Sequence, residues 1–142
     1  MKRKNIYVKT FPGATVGHTK WHVIPSLDMD PDEIIFMCGT NNLRNDHPNQ
    51  VAKEIIEFAV NTNNKVLKVA VSSIARRGDS SDLDVKRMNV NRILEQELPK
   101  HDVEFINNDN IQERNLDRWG LHLNYAGKNL LTGNFINFLS NS

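Results

Sequence analysis

Glu33-Ile34-Ile35-Phe36-Met37-Cys38-Gly39-Thr40-Asn41-Asn42 is the stretch on which the fold turns. A continuous apolar run closes at a glycine, and a polar Gly-Thr-Asn-Asn follows. A strand covered on both faces has this pattern, because neither face alternates with water. Strands of that kind belong to parallel sheets, whose ligand sites lie beyond the carboxyl ends of the strands. The run therefore predicts a buried strand over 33–38 with a functional turn at its end.

Further along the chain, Val66–Ser72 is a second buried strand and Val103–Ile106 a third, short one. Asn5–Thr10 alternates and is β-rich, which predicts a fourth strand, broken by Pro12-Gly13. Between these lie helical stretches. Ala14–Val23 is a short one, stopped near Pro25. Pro48 opens another, with Val51, Ile55 and Ala59 at spacing four. Ser81-Asp82-Leu83-Asp84 has the form of a capping box, and Val90, Leu94 and Leu98 continue its stripe to Pro99. Asn124 caps a last helix carrying Leu131, Phe135, Phe138 and Leu139. Strands alternating with helices predict an α/β fold of three layers, α/β/α, with a flavodoxin-like parallel sheet in the middle. The 142 residues make one domain, 1–142, without repeats or linkers.

Composition narrows the function. A net charge of +1 gives no electrostatic case for nucleic acid, and Met1-Lys2-Arg3-Lys4 is too short to be a binding patch. One cysteine, Cys38, excludes an internal disulfide and belongs to the apolar run, so it is expected to be a packing residue. No signal-peptide core follows the basic start and no apolar run is long enough to span a bilayer. The expectation is an intracellular, cytoplasmic protein without membrane attachment. No set of residues has the spacing of a metal site, His18 and His22 lacking a third ligand, and no cofactor motif is present.

The chemistry-bearing residues sit at the predicted strand ends. Asn41 offers a neutral amide donor suited to an oxyanion. His122, in Gly120-Leu121-His122-Leu123-Asn124, stands on a loop entering the last helix, where an imidazole can act as general base. Phe11-Pro12-Gly13-Ala14-Thr15, Gly39-Thr40-Asn41-Asn42 and Leu121–Gly127 together resemble, in order and spacing, the blocks of SGNH (GDSL-type) hydrolases. The likeness is nearest to the small esterase-like domains of mobile-element reading frames. It implies hydrolysis of acyl esters, with Gly13, Gly39 and Asn41 in the oxyanion hole or substrate site and His122 as catalytic histidine.

Two departures from the family pattern are equally clear. The family's first strand ends in Gly-Asp-Ser and carries the nucleophile, whereas here Met1–Lys4 leads directly into what corresponds to the second strand. Trp119 stands where the Asp of Asp-x-x-His belongs. Gly78-Asp79-Ser80 has the right letters, but it follows a later strand and is out of order. Arg77-Gly78-Asp79 is a solvated turn. The resemblance therefore implies a degenerate or impaired esterase, or the downstream part of an active one. Because the family's first strand lies between the second and third, its absence implies either direct pairing of Asn5–Thr10 with 33–38 or an exposed edge. Such an edge invites a homo-oligomer, and a small acyl ester is the expected ligand.

Overall fold

The computed structural model describes residues 5–141. Its centre is a sheet of three parallel strands in the order β1 (Glu33–Phe36), β2 (Lys68–Ser72) and β3 (Glu104–Ile106). Glu33 faces Lys68 and Phe36 faces Val71 across the first pair; Ala70 faces Glu104 and Ser72 faces Ile106 across the second. This is the layered α/β architecture that the alternation of strand and helix signals predicts.

Around the sheet run α1 (Val16–His22), α2 (Ile24–Leu27), α3 (Pro48–Asn63), α4 (Ser81–Glu97) and α5 (Tyr125–Ser140). Side chains alternate between the faces of a strand. Phe36, Val69 and Val71 point one way and join Val51, Ile55, Phe58, Val90 and Leu94 of α3 and α4 in the main core. Lys68, Ala70 and Ser72 point the other way, toward α5, and the Lys68 ammonium lies 4.8 Å from the centre of the Phe138 ring. α1 packs on α3. Helices thus cover both faces, but unequally: Gly127 is the only fully buried residue among the described residues of α5.

Local chemistry sets the helix limits. Thr15 caps α1 and shares a capping box with His18, whose Nδ1 accepts from the Thr15 N–H at 3.2 Å. His22 stacks on Phe11 at 4.3 Å between ring centres. Both histidines of the Ala14–Val23 stretch are thereby given structural work. Pro25 sits in the first turn of α2, where a missing N–H costs nothing. His47 caps α3 with Pro48 as its first residue. The capping signal at the start of α4 lies one residue earlier than its sequence suggests: Ser80, not Ser81, accepts the Leu83 N–H at 3.3 Å. Asn124 caps α5 as expected, accepting from Gly127 at 2.9 Å.

One strand predicted from sequence does not form. Asn5–Thr10 is outside the sheet, with Ile6, Tyr7 and Val8 at 59%, 70% and 82% exposure. Alternation alone does not make a strand; a ladder partner does, and this segment has none among the described residues. β1 correspondingly ends the sheet on its side. Direct pairing of Asn5–Thr10 with 33–38 is not seen among the described residues.

Buried asparagines finish the backbone where the ladders stop. Asn91 on α4 accepts the Ile74 N–H at 2.8 Å and donates to the Ile74 carbonyl at 3.0 Å, replacing a strand neighbour with one side chain. Asn108 donates to Ser72 Oγ at 2.7 Å and to the Ser73 carbonyl at 3.1 Å, while Asn134 of α5 donates to Asn108 at 2.9 Å. Together these residues tie α5 to the ends of β2 and β3. Replacing Asn91 by Leu keeps the volume but strands two buried backbone groups, so Asn91→Leu is expected to cost about 2–4 kcal/mol. Chemical denaturation measured by circular dichroism checks this.

Candidate functional site

The carboxyl ends of the strands hold the residues singled out from sequence, on two separate supports. The first is the turn after β1. Gly39 has φ +109°, and a Cβ there would lie 2.9 Å from Ile55 Cδ1 and 3.1 Å from Ile74 Cδ1. Only glycine allows the chain to turn this tightly against α3. Gly39 is buried, and its carbonyl accepts the Asn42 N–H at 3.0 Å. Its contribution is to shape the turn.

Asn41 and Asn42 then grip the chain ahead of α1. Asn42 is buried; its Oδ1 accepts the Val16 N–H at 3.0 Å and its Nδ2 donates to Asp46 at 3.1 Å. Asn41 is exposed and donates from Nδ2 to the Ala14 carbonyl at 2.9 Å. Gly13, φ +76°, precedes that carbonyl in an exposed turn closed by the Ala14 N–H to the Phe11 carbonyl at 3.1 Å. The Asn41–Ala14 bond therefore brings Asn41 next to the turn that holds Gly13. One amide hydrogen of Asn41 is committed to Ala14, and the second makes no hydrogen bond among the described residues.

The second support carries His122. Leu116 and Leu123 form an isolated antiparallel bridge, and the Asp117 N–H donates to the His122 carbonyl at 2.7 Å. The intervening hairpin, 117–122, holds an exposed imidazole that makes no hydrogen bond among the described residues. Asp117, the nearest acid in sequence, accepts from the Leu121 N–H at 3.2 Å and orients the loop rather than the ring. Trp119 is 66% exposed, with the Arg118 guanidinium 4.1 Å from the centre of its ring. No hydrogen bond joins His122 to the Gly13–Asn41 pair.

The Gly78-Asp79-Ser80 loop is closer to this hairpin than its place in the chain suggests. The Gly78 N–H donates to the Gly120 carbonyl at 2.7 Å, and a Cβ on Gly120 would stand 2.6 Å from the Gly78 carbonyl carbon. The Ser80 hydroxyl is nevertheless spent on the cap of α4. Asp79 forms a two-point ion pair with Arg77, with contacts of 2.9 and 2.7 Å, which holds its carboxyl below the usual range. Asp84 pairs with Arg87 at 2.9 and 3.0 Å and accepts the Arg77 N–H at 2.8 Å. Burial works to raise the Asp84 pKa, but the bonds from Arg87 and Arg77 outweigh it and the net shift is downward. Burial pushes the Cys38 thiol up to about 12, which leaves it protonated and inert near neutrality. Sequence reasoning missed the Gly78–Gly120 contact because nothing local signals that two distant glycines meet.

Comparison with solved structures places this geometry in context. The chain is similar in fold to a GDSL-like lipase from Bacteroides thetaiotaomicron, with a TM-score of 0.80 at 14% identity over 91% of this chain and 72% of that one. A member of the lipolytic G-D-S-L family from Veillonella parvula gives 0.74 at 19% identity, over 88% and 74%. An acetylxylan esterase from Geobacillus stearothermophilus gives 0.72 at 15% identity, over 88% and 67%. The fold is thus that of the SGNH esterases, and a quarter to a third of each solved chain has no counterpart here. No protein-family model and no curated protein matches the sequence.

Two outcomes are expected. Gly120→Ala combines a left-handed backbone with a clash against Gly78 and should lose about 2–4 kcal/mol in a thermal melt. The depressed carboxyls of Asp79 and Asp84 bind protons more weakly in the folded chain than at the unfolded value of 3.8. Their contribution is therefore complete above that value and is lost as pH falls through their lower folded pKa values. Asp84→Asn should flatten this acid limb in pH-dependent melts.

Proposed function

We propose that this chain is an SGNH-type ester-hydrolase domain with impaired catalysis that retains a recognition site for a small acyl ester. The Asn41–Ala14 hydrogen bond carries the reading, because it fixes a spare amide donor beside Gly13 at the strand ends. Gly13 and Asn41 would receive the carbonyl oxygen of the ester, and Gly39 would shape the floor beneath them. His122 would act as base. In the esterase reaction a serine attacks the carbonyl while a histidine takes its proton, and an acid holds that imidazole in the productive tautomer. Here Asp117 is turned toward the Leu121 N–H and Trp119 fills the place of the family's acid, which supports impairment.

A second reading is supported by the share of the solved neighbours that this chain spans, 67–74%. On this reading it is the downstream part of an active esterase in a longer mobile-element protein, with the serine block encoded upstream. An intracellular setting belongs to the same proposal. Among the described residues, no helix is long and apolar enough to cross a membrane.

The purified chain should turn over a short-chain nitrophenyl ester no faster than its His122→Ala variant and should take up no fluorophosphonate label. Serine hydrolases that lose their nucleophile fall by a factor on the order of 10⁶. Turnover that His122→Ala abolishes, or covalent labelling, would overturn the impaired reading. An upstream apolar strand ending in Gly-Asp-Ser, joined to this chain and restoring both signals, would establish the second.

A further inference from the structure

The loops that follow β1 and β2 are anchored to one helix, and each carries an arginine that the fold leaves unspent. On α4, Lys86 donates from Nζ to the Leu43 carbonyl at 2.8 Å, which holds the chain immediately before Arg44. Two residues earlier on the same helix, Asp84 accepts the Arg77 N–H at 2.8 Å, which holds the chain immediately after Arg76. Arg44 itself stands three residues beyond Asn41. Both arginines are exposed, and neither makes a hydrogen bond or an ion pair among the described residues.

The carboxylates around them are already engaged. Arg77 takes Asp79 by two contacts and Arg87 takes Asp84 likewise, while Asp46 accepts from Asn42 at 3.1 Å. Over 44–46 and 76–87 five cations meet four carboxylates, the fourth being Asp82 in the first turn of α4. The surplus charge is positive, and Arg44 and Arg76 are the guanidinia there without a carboxylate of their own. Electrostatics sets both beside the same cluster. The Asp79 carboxyl, depressed chiefly by its bond from Arg77, is lowered further by Arg44. Asp84, which burial works to raise and Arg87 and Arg77 to lower, is lowered further by Arg76. Charges near water influence one another only within about 10 Å.

We propose that Arg44 and Arg76 together receive a carboxylate, so that the small ester recognised beside Asn41 is one that carries a negative charge. A guanidinium presents paired N–H donors that match the two oxygens of a carboxylate, as Arg77 and Arg87 already do within the chain. The ester part of this ligand rests on the acyl-ester reading of Asn41; its charge rests on the two arginines alone.

Monomethyl succinate and dimethyl succinate, which share an ester and differ in one free carboxylate, separate the two. In a heteronuclear NMR titration of the whole chain, the monoester should bind about tenfold more tightly than the diester. It should shift the Nε–H signals of Arg44 and Arg76 together with the side-chain amide of Asn41, and added salt should narrow the gap. Arg44→Gln or Arg76→Gln, each checked for folding by circular dichroism, should bring the monoester to within about twofold of the diester. Equal affinity of the two esters, or monoester shifts that miss both arginines, would overturn the anion site and leave the acyl-ester reading standing. Shifts at the arginines without any at Asn41 would uphold the anion site and overturn the ester reading of that residue. Binding of neither ester would overturn both.

Discussion

Val16 donates its backbone N–H to the side chain of Asn42, and that bond ties the turn after β1 to the start of α1. Parallel strands end with backbone groups that no further ladder can take up, and burying such groups unpaired costs about 1–3 kcal/mol each. Asn42 meets the requirement for the chain entering α1 while its own amide is anchored by Asp46. Asn41 repeats the grip one residue earlier, at Ala14. The same solution recurs at Asn91 and Asn108, each replacing a missing strand neighbour with a carboxamide that donates and accepts at once.

The turn after β1 divides its structural work among adjacent residues. Gly39 makes room against Ile55 and Ile74, Asn42 is consumed in holding α1, and only Asn41 keeps a donor in reserve. The family resemblance groups Gly39 and Asn41 as one functional block; their burial separates them. The second support is built on different principles, a short hairpin whose backbone bonds fix His122 by its carbonyl and leave its ring unguided. The first support thus holds its amide by a side-chain hydrogen bond, and the second leaves its imidazole without one among the described residues.

How much of this could be read from the sequence depends on where the information lies. Buried strands declare themselves by uninterrupted apolar runs, and β1 and β2 are found within two residues of their limits. The helices declare themselves by spacing and caps, as Pro48 and Asn124 show. Asn5–Thr10 was the failure. Its pattern is that of a strand, but pairing depends on a neighbour that a local pattern cannot report. Serine hydroxyls are similarly ambiguous, and only geometry assigns the cap of α4 to Ser80 rather than Ser81. The approach of Gly78 to Gly120 left no local trace at all.

The unequal covering of the two faces has a dynamic consequence. α3 and α4 share the fully enclosed core with the sheet, whereas α5 is held chiefly by its N-terminal cap, the Asn108–Asn134 contact and half-covered apolar side chains. Regions with few enclosed contacts open at lower free energy than the molecule as a whole. The last helix is therefore the natural first unit to detach, and the hairpin bearing His122 leads directly into it. The hairpin bearing His122 therefore leads into a less enclosed part of the fold than β1 and α3, which flank Asn41.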